Sequence, residues 1–252
     1  MPYVKRTTTA GKTKEVELYY TAAYNKRGAK RAKKAKPTRE QQKAVNRKAA
    51  ERKLRLLLNA NFGPGDYYVT LDYVRKKDAP DRTRDEMRRD IQKFLRECRK
   101  QYRKAGKEFK YVHVMEIGKK GARHHHLVLN RIDPAVIQKA WKKAYPERTW
   151  INFKPLDDTG QYGDLAAYLI KYSDAHLKDS KNSRLQGKRW AASKNLLHPV
   201  PEYEIITSRA WFRCEVKVPK GWYEDKPRTE KGVSSPEYGG YGFFRYTLIK
   251  KE

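Results

Sequence analysis

Apolar side chains recur along this chain with two periods, one helical and one of strands. From Thr83 onward, Met87, Ile91, Phe94, Leu95, Cys98 and Tyr102 return every three or four residues through a charged segment, which predicts a helix with one buried stripe. Thr83 and Glu86 have the spacing of a capping box at its start. Asp133 followed by Pro134 opens another helix, with Val136, Ile137, Ala140, Trp141 and Ala144 on its buried side. A further helix runs from the Gly160 region to Ser173 and buries Leu165, Ala166, Leu169 and Ile170. Upstream, Thr38 and Gln41 repeat the capping-box spacing ahead of about twenty residues rich in Ala, Lys, Arg and Leu. Gly63, Pro64 and Gly65 close that segment.

Between the helices lie runs with the period of strands. Asp66 to Tyr73 is β-branched and aromatic and follows the Gly-Pro-Gly turn. From about Phe109 to Ile117, and again up to Leu127-Val128-Leu129, two strands flank a turn carrying Gly118 and Gly121, which predicts a hairpin over Tyr111 to Asn130. Trp150 to Leu156 returns as a strand. The order strand, helix, strand, strand, helix, strand predicts an α+β fold, an antiparallel β-sheet with helices packed on it.

The flanks are less regular. Residues 1–37 are expected to form a basic arm ending in NKRGAKRAKKAKP, and residues 38–175 the core with its preceding helix. Residues 176–252 are expected to form a C-terminal extension. Its basic loop, 173–189, precedes strand character from Tyr203 to Val218, a linker with loops from Pro219 to Tyr238, and a closing strand in YGGYGFFRYTLIKK.

Charge changes the picture from a fold to a partner. The chain has 59 Lys and Arg against 29 Asp and Glu, a formal charge of +30, which would repel itself without polyanionic company. Nucleic acid is therefore the first partner to expect, since neutralising phosphates dominates such binding. The eighteen tyrosines suit stacking on unpaired bases as well as packing. Lys119, Lys120 and Arg123 at the hairpin turn, with Lys188 and Arg189 beyond the basic loop, are the candidate DNA contacts. Cys98 and Cys214 form no paired motif, no run approaches the ~20 apolar residues of a membrane span, and the N-terminus lacks a signal-peptide core. A soluble protein of the cytoplasm is the expectation.

Two clusters carry candidate chemistry. On a strand, His124 and His126 project from one face and His125 from the other. Two imidazoles on a stiff strand suit a divalent metal, and antiparallel pairing would bring Glu116 opposite to complete a site of two histidines and one carboxylate. The alternative is a pair of ordinary polar residues on a solvated face. The second cluster is Tyr168, Lys171 and Tyr172, neighbours at i, i+3 and i+4 on one edge of a helix. Its alternative is an amphipathic helix with packed tyrosines and a solvated lysine.

Taken in order, Tyr68-Val-Thr-Leu-Asp-Tyr73, the His-x-His strand and Tyr168-Leu-Ile-Lys171-Tyr172 resemble the three motifs of HUH endonucleases, the initiators of rolling-circle replication in single-stranded DNA phages and plasmids. Thr70-Leu71, His124 and His126 with Leu127 to Leu129, and Tyr168 with Lys171 and Tyr172 sit at the matching positions. The resemblance covers about residues 66 to 173, with one departure, His125 where the family usually has a hydrophobic residue. After the third motif, GKRWAASKNLL is similar to a segment of filamentous-phage-type initiators.

The resemblance implies a metal-dependent, site-specific nickase of the two-tyrosine type acting on single-stranded origin DNA in a bacterial host. Mg2+ or Mn2+ held by His124, His126 and Glu116 would polarise the phosphodiester. Tyr168 would attack to give a 5′-phosphotyrosine, Lys171 would assist it, and Tyr172 would take the alternate turn. No P-loop pattern occurs, so a host helicase and polymerase are the expected partners. Two readings compete: a single-tyrosine HUH transposase or mobilisation relaxase, and a basic nucleic-acid-binding protein without catalysis.

Overall fold

The computed structural model describes residues 3–20, 38–75, 81–118, 121–147, 151–175, 188–207, 215–233 and 240–251. The described residues form an α+β structure of two antiparallel sheets and four helices, divided into two compact units.

The unit formed by residues 61–158 and 162–197 contains the predicted core. Its strands are β3 (Tyr67–Asp72), β4 (Tyr111–Ile117), β5 (Arg123–Leu129), β6 (Asn152–Pro155) and β7 (Ala191–Ala192), and they pair in the order β6-β3-β5-β4-β7. Every pairing is antiparallel, with β5 at the centre between β3 and β4. The alternation of β5 decides what each face does. Leu127 and Leu129 point into a core with Val69, Leu71 and Met115, closed by helices α2 (Arg84–Lys104) and α3 (Pro134–Ala144) through Met87, Ile91, Phe94, Ile137 and Trp141. At the head of α2, Thr83 and Glu86 form the predicted capping box, and Asp133 caps α3 at the backbone N–H of Ala135. The fourth helix packs on β4; α4 (Gly163–Ala175) brings Tyr168 against the ring of His126, on the face opposite Leu127. The helices therefore cover both faces.

The unit formed by residues 1–60, 159–161 and 198–252 departs from several expectations. Within the expected basic arm, residues 3–20 form two strands, β1 (Tyr3–Ala10) and β2 (Thr13–Tyr20), while residues 21–37 lie outside the described part. Helix α1 (Arg39–Asn61) belongs almost wholly to this unit rather than to the core, and residues 188–197, expected in the extension, belong to the core unit. The strand expected over Tyr203 to Val218 is confined, among described residues, to β8 (Glu202–Ile206). The expected linker from Pro219 holds β9 (Trp222–Glu224), a 3-10 turn at Lys226–Arg228, and β10 (Glu230–Val233). The closing strand is present as β11 (Gly242–Lys250), and the six strands pair as β10-β11-β2-β1-β8 with β9 also on β11.

One face of this second sheet is apolar, with Val16, Leu18, Phe244, Tyr246 and Leu248. The other is polar and yet buried. Glu15 is held by Arg52 and Arg55, and Glu17 by Arg6, Arg52 and Arg245. Burial works to raise the Glu17 carboxyl, but Arg245, Arg52 and Arg6 outweigh it and hold the group below its usual range. Desolvation pulls the Arg55 guanidinium down to about 10. Strand β2 buries Thr13, Glu15 and Glu17 on one face as fully as Val16 and Leu18 on the other, so its burial does not follow hydropathy, which is why hydropathy misses it.

Candidate active site

The β4–β5 register places Glu116 directly across from His124 and Val114 across from His126, while β3 places Asp72 across from His124 and Thr70 across from His126. Directly paired residues share a face, so His124, His126, Glu116, Asp72 and Thr70 form one polar group on the sheet. Rings of His124 and His126 stack with centroids 6.0 Å apart.

Each histidine has a carboxylate partner, and the two are bonded differently. Nδ1 of His124 lies 2.6 Å from Oδ1 of Asp72. A carboxylate only accepts, so Nδ1–H donates and the Nε2 lone pair remains available. His126 instead turns Nε2 to the buried carboxylate of Glu116, and its Nδ1 lies 2.7 Å from the Tyr68 hydroxyl and 3.3 Å from Oγ1 of Thr70. Burial pushes the Tyr68 phenol well above its ordinary range.

The donor chemistry fits a divalent ion. Both predicted imidazoles share a face with the predicted carboxylate, and each carries an outer partner on Nδ1, the arrangement that orients metal-binding histidines. Among the described residues, however, no three His, Cys, Asp or Glu side chains are grouped so as to hold a metal ion, and Nε2 of His126 and the Glu116 carboxylate bond each other directly.

His125 points the other way and serves a separate network. Its Nδ1 lies 2.9 Å from Nε2 of the buried His113, and its Nε2 lies 2.9 Å from the Tyr73 hydroxyl. Desolvation pushes His113 down to about 3 and holds His125 well below its ordinary value, with His113 itself the next contributor for His125. His125 is thus a satisfied core polar residue.

Helix α4 brings the nucleophile candidate to the histidine face. Tyr168 is 40% exposed, its ring edge-on to His126 at 5.8 Å and to Tyr68 at 6.2 Å. Lys171 is exposed on the same helix; the side chain of Tyr172 lies outside the described part. The candidate DNA contacts divide. Lys119 and Lys120 lie outside the described residues, Lys188 is exposed and Arg189 half-buried. Arg123 pairs with Asp81 at 2.6 Å and donates to the Gly121 carbonyl, so it braces the hairpin turn.

Residues 66–176, from β3 through α4, match the family model of replication-associated protein ORF2/G2P. The ORF2/G2P match spans every residue of the histidine face and of the tyrosine edge. No curated protein and no solved structure matches the chain. Strands β1, β2 and β8 to β11 fall outside the ORF2/G2P span. No described helix is long and apolar enough to cross a membrane.

Sequence reasoning missed Asp72 and Tyr68 as partners of the two histidines. A usable signal was present: Tyr68, Thr70 and Asp72 alternate on one strand, and one residue of register fixes which histidine each meets.

Proposed function

We propose that this chain is a replication initiator of the HUH type that nicks single-stranded origin DNA with Tyr168 and rejoins it in rolling-circle replication. The observation that supports it most is the placement of the half-exposed Tyr168 ring against His126, over the strand face that carries His124 and Glu116. The ORF2/G2P match over the same residues supports it from a second side.

The Tyr168 hydroxyl gives up its proton to solvent as its oxygen attacks the scissile phosphorus, a P–O bond to tyrosine forms, and the P–O3′ bond breaks to leave a 3′-oxyanion that takes up a proton and becomes a 3′-hydroxyl. The ester stores the bond energy, so a 3′-hydroxyl reverses the step and rejoins DNA without a nucleotide cofactor. His124, His126 and Glu116 would hold Mg2+ or Mn2+, which when bound supplies charge stabilisation to the phosphate oxygens and the leaving oxygen. Asp72 and Tyr68 keep the two imidazoles oriented through their Nδ1 atoms. Lys171, one turn beyond Tyr168, offers a positive charge to the phosphate, and Tyr172 serves as the second nucleophile of the two-tyrosine cycle. Lys119, Lys120, Lys188 and Arg189 track the DNA backbone, while a host helicase and polymerase unwind and copy it.

The test is nicking of circular single-stranded DNA carrying the cognate origin, in Mn2+ and in chelator. Metal-dependent nicking lost in Tyr168→Phe and in His124→Ala is the expected result. Retained nicking in Tyr172→Phe over repeated cycles points to a single-tyrosine enzyme, and tight salt-sensitive binding without any nicking points to a plain DNA-binding protein.

A further inference from the structure

Helix α2 carries its charge unevenly. Most of its carboxylates gather in the first two turns, where Glu86 closes the capping box and meets Arg82, Asp85 meets Arg88, and Asp90 faces Arg82. Arg89, Lys93, Arg96, Lys100 and Lys104 recur at steps of four, three, four and four residues, and all five are exposed. That spacing lays them along one side of the helix, a stripe of roughly 22 Å at about 1.5 Å per residue. Like charges three and four residues apart oppose each other and weaken a helix, so the free protein bears a cost that a polyanion would remove.

The stripe borders a groove between two helices. Lys93, Arg96, Glu97 and Lys100 line it from α2, and Ala140, Lys143 and Ala144 line it from α3. Ala140 and Ala144 are buried one turn apart, and their short side chains leave open a space that longer ones would fill. The ion pair of this groove, among the described residues, is Lys143 with Glu97 at 2.9 Å, and Glu97 also accepts from Gln101. Lys93, Arg96 and Lys100 have no ion-pair partner among the described residues.

Size and lining decide the ligand. The groove holds about 180 Å³, below the ~300 Å³ at which pockets for small organic ligands begin. None of its lining residues is aromatic, so it offers no platform on which an unpaired base stacks. A phosphate group fits such a space, and cations without rings suit a backbone whose bases are turned away into pairs. The groove also lies apart from the candidate active site: α2 and α3 close the face of Leu127 and Leu129, while His124 and His126 project from the other.

We propose that the α2–α3 groove binds the phosphate backbone of double-stranded DNA, on the face of the core unit opposite the histidines. The proposal rests on the nickase reading above only for its consequence, which is to hold paired DNA while a single strand is cut at Tyr168. Binding itself needs neither metal nor nicking.

The first measurement is lysine acetylation of the wild-type chain, read by mass spectrometry, alone and with a short DNA duplex, a single strand of the same length, or inorganic phosphate at equal phosphate concentration. The duplex is expected to protect Lys93 and Lys100 and to leave Lys43 reactive, with less protection by the single strand and none by inorganic phosphate. The second measurement is duplex affinity across a range of salt for Lys93→Gln/Arg96→Gln/Lys100→Gln and for Lys43→Gln/Lys48→Gln/Lys53→Gln, which removes the same charge from the exposed side of α1. Glutamine keeps the helix propensity of lysine and arginine. The groove variant is expected to lose at least tenfold in affinity and to show a slope of log affinity against log salt shallower by about 2.7, or about 0.9 for each lost phosphate contact. The α1 variant stays within twofold, and the groove variant nicks single-stranded origin DNA within twofold of wild type.

Equal acetylation of Lys93 and Lys100 with and without bound duplex overturns the proposal, as does equal protection by the single strand or by inorganic phosphate. Equal loss in the two triple variants assigns the effect to net charge and overturns it too. Protection by the duplex in a protein that nicks nothing keeps the groove and rejects the nickase reading, while nicking without protection does the reverse.

Discussion

Nδ1 of His124 and the carboxylate of Asp72 meet at 2.6 Å because β3 and β5 pair in the register that sets these two residues opposite. The bond holds the imidazole by one nitrogen, Nδ1. Outer partners of this kind typically contribute 10- to 100-fold in metal affinity, roughly, when they are lost. Asp72→Asn is therefore expected to weaken Mn2+ binding by about one to two orders of magnitude with little change in melting temperature, as read by electron paramagnetic resonance of free Mn2+. Unchanged affinity would remove Asp72 from the site.

The His113–His125 pair makes the core unit acid-sensitive. Both rings are buried and neutral in the fold, His113 pushed down to about 3 by desolvation and His125 held below its ordinary range by desolvation and then by His113. Unfolded imidazoles take up protons near pH 6.5, so the unfolded chain binds more protons below that value. Stability is complete above about pH 6.5 and is lost as pH falls toward 3, by roughly 2 kcal/mol for His113 alone at pH 5. Denaturant titrations at pH 7.5 and 5.0 check the sign, and His113→Gln should flatten the slope to about half.

The Glu15 carboxylate is 1% exposed and is held by Arg52 and Arg55, whose own side chains are largely buried. Glu15→Ala strands the Arg55 charge and is expected to cost about 3–5 kcal/mol. The pair between Lys5 and Glu204, at 2.9 Å on the exposed edge, provides the contrast: Lys5→Ala should cost about 0–1 kcal/mol. Chemical denaturation separates the two, and a Glu15→Ala loss as small as the Lys5→Ala loss would contradict the buried seam.

The core was legible in the sequence because its buried positions are apolar and its periods are long. Met87 to Tyr102 marks a helix by itself, and the alternation through His124, His125 and His126 assigns each ring to a face before any coordinate is known. What stayed hidden depends on pairing between strands. Asp72 and Tyr68 acquire their roles only through register with β5, and Arg123, set aside for DNA, is claimed by Asp81. The sheet that includes β1 and β2 was missed for a different reason: Thr8, Thr13, Glu15 and Glu17 are buried, the two glutamates against arginines, so burial there does not follow hydropathy. Strands of three and four residues, such as β9 and β10, are too short to show a period.

The central claim is that Tyr168 is the atom donor that becomes joined to DNA, and peptide mapping of the covalent product tests it most directly. Protein incubated with single-stranded origin DNA and Mn2+ is digested with nuclease and protease, and the peptide that retains a nucleotide is sequenced by mass spectrometry. The account predicts a nucleotide on Tyr168 in the first cleavage, with Tyr172 modified only when turnover continues, and no modified peptide in chelator. Modification at any other residue while Tyr168 stays free, or metal-independent modification, would contradict it.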